Sequence, residues 1–365
     1  MGAMKSSNIE HIAALDHLRL MAALLVFAFH VFHHVFGHWQ PMPDIWPYGL
    51  ITEGHTGVSL FFALSGFLFM RIGLEGPMRY GDFIRNRFLR IFPLFVFFYF
   101  IAVSVGRDDF RAADVLYLFF SNLGQAPTSN SFITGAAWTI SVEFTFYLVL
   151  PFLVRFSRDQ GPGFLWRLLL LMALVKLGAY AVTARSTHML YSTLVGRFDQ
   201  FLWGMLAAMI WHRHGNWLKS RARHGWLVMV VLVWAATAWQ AHVASFFLPQ
   251  PKQVFWLFWG SLEAMLWSGL ILLYVAAEVR WPAWAMKAMR QGGAWSYSLY
   301  LWHGLVIFVL GHYGLQWLPF DHVPLNFAFS VLWMLPVSLA VAALSYHTIE
   351  LPFLRLRRTY LQPKP

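Results

Sequence analysis

The sequence predicts an all-α membrane protein, a bundle of about ten transmembrane helices with both termini in the cytoplasm. Three observations lead there. Hydrophobic residues make up 59% of the 365 and charged residues only 12%, roughly half the usual globular share. Apolar runs of the ~20 residues needed to cross a bilayer recur along the whole chain. Lysine and arginine fall almost entirely in alternate connecting segments, the pattern left by cytoplasmic loops. A soluble core cannot hide this much apolar surface, so disorder, a coiled coil and a soluble enzyme are excluded.

Taken in order, the spans lie near 18–36, 55–73, 89–106, 138–156, 164–183, 196–212, 225–242, 255–277, 294–311 and 327–349. A short charged turn, Arg155 to Asp159 followed by Gly161-Pro162-Gly163, separates the fourth from the fifth. The stretch 112–123 is too short to span and reads as interfacial. With this count, twenty-one basic residues fall on the cytoplasmic side and five on the other (Arg107, Arg111, Arg185, Arg197 and Lys252). A wrong helix count would scramble that alternation. The longest outer loop, about 107–137, has a polar tip at Gln125 to Ser131 and reads as part of a mouth or lid.

The net charge of +11 does not point to nucleic acid, because the basic residues are scattered between apolar runs and read as neighbours of anionic membrane lipids. With no cysteine, disulfides and thiolate chemistry are absent. The first apolar run has a full helix's length and no small-residue cleavage site, so it is not a cleavable signal peptide. Met1-Gly2-Ala3 before Met4 reads as a vector-derived remnant. The expected organisation is a cytoplasmic N-terminal segment 1–17, a transmembrane domain 18–350 and a cytoplasmic basic tail 351–365, with no soluble domain attached and no repeat of the two halves.

Ionisable groups inside the bilayer are costly and therefore functional candidates. Arg19 and His30 in the first span are eleven residues apart, which returns to within ~20° of the same helix face and rises ~16.5 Å. One face thus presents a cation at the inner surface and an imidazole deep in the membrane. His30 is either a proton-transfer group or a hydrogen-bonding residue between helices. His33, His34 and His38 follow; His30 and His34 have metal-ligand spacing, but no nearby acidic cluster completes a site and no metal is expected. Glu143 and Glu263 lie in the outer halves of their spans. Glu143 reads either as the group that orients His30 or as the partner of a cation such as Arg197. Arg87 and Arg90 share a face at the start of the third span, serving either topology or, with Arg19, a phosphate clamp.

The motifs, in chain order, resemble the acyltransferase-3 family of integral membrane acyltransferases. They are LDHLRLMAALLVFAFH, GVSLFFALSGFLFM, RNRFLRIFP, WTISVEFTFYLVLPF, GRFDQFLWGMLA, SYSLYLWHG and YHTIELPF. The resemblance covers essentially the whole chain. It implies transfer of an acyl group, usually acetyl, from cytoplasmic acyl-CoA to a hydroxyl of an extracytoplasmic sugar, lipid-linked or polymeric, at the bacterial inner membrane. His30 is then the catalytic histidine and Arg19 its helix partner, Arg87 and Arg90 belong to the donor side, and Glu143 is the acid of the fourth-span string beginning at Trp138. Two departures stand out: Phe144-Thr145 where Glu-Gln is usual, and Ser59 where the second span commonly carries Asp.

Supporting roles are read for Ser65 beside Gly66 at a close helix contact, for Arg197 and Asp199 in helix pairing or sugar positioning, and for the stripe Ser296, Tyr300 and His303 as pocket wall. Glu350 reads as a local partner of Arg355, Arg357 and Arg358. Two other readings remain: acylation of a small molecule such as a macrolide, and a proton-coupled transporter using His30 and Glu143 as a relay.

Overall fold

A computed structural model describes residues 8–35, 48–105, 138–245, 251–313 and 318–362. The predicted outer loop with its polar tip, the segment 112–123 and His38 lie outside the described residues. Among the described residues, nine helices are long and apolar enough to cross a membrane. They are α1 (Ala13–Val35), α2 (Thr56–Gly73), α3 (Tyr80–Val105), α4 (Trp138–Gln160), α5 (Pro162–Val182), α6 (Leu194–Ala244), α7 (Phe255–Ala277), α8 (Ala283–His312) and α9 (Val323–Ser345). Among the described residues there is no strand, only an isolated antiparallel bridge between Met78 and Leu361.

The tenth crossing is hidden in α6. Gly196 lies against Gly260 of α7, and the ring of Trp239 is 6.3 Å from that of Trp259. On a straight helix, residues 196 and 239 would be about 65 Å apart. They meet the same turn of α7 because the chain reverses near His214, whose φ and ψ of −123° and 19° are not helical. Trp211 and Gly225, on either side of the reversal, both pack on the far end of α7. The two described ends of the chain lie on one face of the bundle, where Asn8 Oδ1 accepts the backbone N–H groups of Tyr360 and Leu361.

Depth in the bundle follows from side-chain size. The most enclosed span is α2, which packs against α1, α4, α6 and α7. Its approach to α6 requires glycine: a Cβ at Gly66 would strike the carbonyl oxygen of Phe201, and one at Gly204 that of Ala63. At the periphery, α5 exposes Leu170, Leu171, Leu174 and Leu177, the surface a bilayer would cover. It starts from Gly161, whose φ of 71° suits only glycine, and Pro162 fills the first helical position.

The tail differs from the expected basic extension. A five-residue π-helical turn, Tyr346–Glu350, follows α9, and a short helical turn, Leu351–Leu354, follows that. Beyond it the chain runs beside the segment leading into α3, where Gln362 N–H bonds Pro77 O at 3.0 Å and Arg79 N–H bonds Tyr360 O at 2.8 Å. As far as Gln362, the segment after α9 is therefore bonded to the bundle.

Candidate active site

A cavity of about 370 Å³ opens beside the two chain ends and runs inward between α1, α2, α3, α4 and α8. That lies within the range of small-molecule sites. Among the residues singled out in the sequence, Arg19, Ser65, Arg87, Arg90, Glu143, Ser296 and Tyr300 line it, as do Arg355 and Arg357 from the tail. Helix geometry explains the grouping at the entrance, because Arg87 and Arg90 stand one turn apart on α3, Arg87 over Phe69 of α2 and Tyr147 of α4, and Arg90 over Tyr297 of α8.

The arginines are held differently. Arg19 donates to Asp16 Oδ1 at 3.1 Å, and Asp16 is also bonded by His11 at 2.6 Å. Arg90 donates to Glu350 Oε2 at 2.6 Å, and Glu350 also accepts the Ser298 hydroxyl. The expected local pairing of Glu350 with Arg355, Arg357 and Arg358 is thus corrected: the π turn swings the carboxylate into the bundle, where Arg90 is its cationic partner among the described residues. Arg87 has no carboxylate partner among the described residues; its guanidinium lies 4.6 Å from the centre of the Phe69 ring, near Phe83 and Tyr147.

Deeper in the cavity, Glu143 accepts hydrogen bonds from Ser65 Oγ at 2.6 Å and from the Tyr147 hydroxyl. It does not meet His30, as the orienting role required. The reason is helix placement: α4 packs on α2 and α3, whereas α1 turns its His30 face to α8. His30 instead donates from Nδ1 to Val26 O at 2.8 Å, and His303 Nε2 stands 3.2 Å from the same nitrogen. His303 Nδ1 donates to Leu299 O at 3.1 Å, which makes its Nε2 the lone-pair nitrogen facing His30. With Nδ1 protonated, the basic nitrogen of the neutral His30 ring is Nε2.

The cavity lining ends at Val58, Thr139 and Tyr300, one turn of α8 short of His303, and does not include either histidine. Thr139 Oγ1 donates to the Tyr300 hydroxyl at 3.0 Å across that boundary. His33, also considered as a metal ligand, bonds Thr52 O at 2.9 Å, and the His34 ring packs on Gly311.

The remaining predicted residues form a separate, densely bonded layer toward the opposite face. Arg197, 2% exposed, donates to Ser59 Oγ at 2.9 Å and Glu263 Oε2 at 3.4 Å, and stands over Tyr191 and Trp138. Ser59 donates in turn to Glu263 at 2.5 Å. At Ser59, one of the two departures noted in the sequence, α2 thus meets a carboxylate brought across from α7. Asp199 accepts from Lys176 at 2.6 Å and from Ser261.

Sequence reasoning missed Lys176 and Arg357. Lys176 lies in a span and is 2% exposed, so a search for charges within apolar runs would have found it. Arg357 lines the cavity, but the sequence offered it only as a topology signal and as a local partner of Glu350.

A family model described as an acyltransferase domain matches residues 12–347. Nodulation protein 10 of Rhizobium leguminosarum bv. viciae is 27% identical across 98% of this chain and 97% of its own. An O-acetyl transferase of Shigella phage Sf6 is 28% identical over 45% of this chain and 52% of its own. The O-acetyltransferase OatA of Staphylococcus aureus is 21% identical over 95% of this chain and 58% of its own. No solved structure gives a significant match. A cavity that joins an arginine cluster to the neighbourhood of two facing imidazoles, in a multi-span helical bundle matched along nearly its whole length, leads to one conclusion: the chain belongs to the acyltransferase-3 family of membrane acyltransferases.

Proposed function

We propose that the protein transfers an acetyl group from acetyl-CoA to a hydroxyl of an extracytoplasmic glycan or lipid-linked sugar. The arginine-rich face that carries both chain ends is then cytoplasmic, as the charge bias favours, and the membrane is the bacterial inner membrane. The observation that carries this reading is the cavity, which starts at Arg87 and Arg90 and ends at Tyr300, one turn from His303 and His30. Relatives named as O-acetyltransferases support acetyl as the group and a hydroxyl oxygen as its destination.

In this reading Arg19, Arg87 and Arg90 draw the donor's phosphates to the mouth, and its thioester arm extends along the cavity toward Tyr300. Rotation of Tyr300, released from Thr139, joins the cavity to the imidazole pair. The acceptor hydroxyl approaches from the opposite face, through the layer that contains Arg197, Asp199 and Trp138. His30 Nε2 takes the hydroxyl proton as the oxygen attacks the thioester carbonyl. The Tyr300 hydroxyl or a backbone amide stabilises the oxyanion. The carbon–sulfur bond then breaks, the CoA sulfur takes the proton back from His30, and an ester and free CoA leave. His303 acts as a positioning residue, holding the His30 ring through Nδ1. Glu143, bound to Ser65 and Tyr147, shapes the cavity wall and does not serve as the imidazole's partner.

The test is His30→Ala in purified, reconstituted protein. Acetyl transfer, followed as CoA release and as acetyl ester on added glycan, is expected to fall 10²- to 10⁴-fold with the helical content unchanged. Transfer within threefold of wild type would overturn the assignment.

A further inference from the structure

The mouth of the cavity is built by both ends of the chain. Asn8 Oδ1 accepts Tyr360 N–H at 2.9 Å and Leu361 N–H at 3.1 Å. Asn86 of α3 donates to Arg358 O at 2.6 Å and accepts Arg358 N–H at 3.0 Å. The Arg79 side chain donates to Thr359 O, and the buried Tyr360 ring packs edge-on to Phe83 at 5.3 Å. Chain ends usually fray; one bonded to three separate segments and anchored by a buried aromatic is an ordered strap.

The strap has one consequence for charge. It holds Arg357 on the cavity wall with Arg87 and Arg90, its Nε donating to Leu354 O at 3.1 Å. Arg90 is neutralised by Glu350, but no described carboxylate pairs with Arg87 or Arg357. Burial, with repulsion from Arg87 and Arg90, lowers the Arg357 guanidinium to about 10. Like charges are brought together at a cost, and the strap's hydrogen bonds maintain that arrangement. An anion between them would remove the repulsion and satisfy forked donors at once.

We infer that Arg357, fixed by the strap 357–362, is a further arm of the donor site and binds a phosphate group of the donor nucleotide together with Arg87. The inference rests on the donor reading above and adds a residue from outside the membrane spans. Two guanidiniums without carboxylates suit a nucleotide carrying several phosphates better than a singly charged ligand.

The experiment compares ligand-induced thermal stabilisation of the full-length protein, in detergent, by CoA and by pantetheine, which lacks the nucleotide and its phosphates. Arg357→Gln is expected to weaken CoA binding at least tenfold, about 1.4 kcal/mol, and to leave the pantetheine response as in wild type. Arg357→Lys keeps the charge but not the fork, and is expected to fall between the two. Arg221→Gln removes an exposed arginine from the turn of α6, away from the cavity, and is expected to change neither response. Arg87→Gln serves as the reference for loss of the donor. If it loses CoA while both Arg357 variants bind as wild type does, the inference is overturned and the donor reading stands. If CoA does not stabilise the wild-type protein, the donor reading is overturned and the inference with it.

Discussion

The two ends of the bundle treat their charges in opposite ways. Toward the face away from the termini, Lys176 and Arg197 are each 2% exposed and have carboxylates at 2.6 Å and 3.4 Å, with serines completing the bonds. At the termini face, Arg87 and Arg357 line an open cavity with no carboxylate partner among the described residues, while Arg90 and Arg19 on the same wall are paired. A charge that meets its counter-charge inside the protein holds helices in place. One kept beside a cavity without a counter-charge remains available to a ligand. The contrast separates architecture from binding with no appeal to sequence similarity.

Stability measurements probe it most severely. Lys176→Met strands the buried Asp199, and breaking such a pair is expected to cost about 3–5 kcal/mol, read as a lower melting temperature in detergent. Adding Asp199→Leu should restore most of that loss, since a well-packed apolar pair replaces two desolvated charges at little net cost. If the double variant stays as unstable as the single, the pair does more than hold helices together. At the other end, Arg87→Gln should leave the melting temperature nearly unchanged while weakening CoA binding about 10- to 100-fold, the weight of one or two charge-assisted hydrogen bonds. Equal losses of stability at the two ends would erase the contrast.

The smallest expected effect concerns the imidazole pair between the two regions. His303→Ala should lower turnover about tenfold and displace the pH–rate profile, with the KM for the donor unchanged. His303→Gln, which retains an acceptor toward His30 Nδ1, should recover part of the rate. A purely structural His303 would lower protein yield and leave the pH profile in place.

What was legible in the sequence was what depends on neighbours along the chain. Hydropathy located the long apolar helices, including the two limbs of α6, because a bilayer acts on each segment by its own composition. The shared face of Arg87 and Arg90 followed from a three-residue spacing, and both line the cavity. The close approach at Ser65-Gly66 likewise followed from the absence of bulk.

Pairings between distant segments were decided by the tertiary structure alone. Glu350 is 260 positions from Arg90, and nothing near either residue names the other. Glu143 and His30 were matched by depth, yet α4 presents its carboxylate to Ser65 on α2 while α1 presents its imidazole to α8. The tail's Arg357 looked like any membrane-flanking cation until Asn8, Asn86 and Arg79 fixed the backbone around it. The physical reason is common to all three. Partition into lipid is a property of a segment and can be summed residue by residue. An ion pair or hydrogen bond is a property of two atoms within about 3 Å, and only packing of the helices brings them that close.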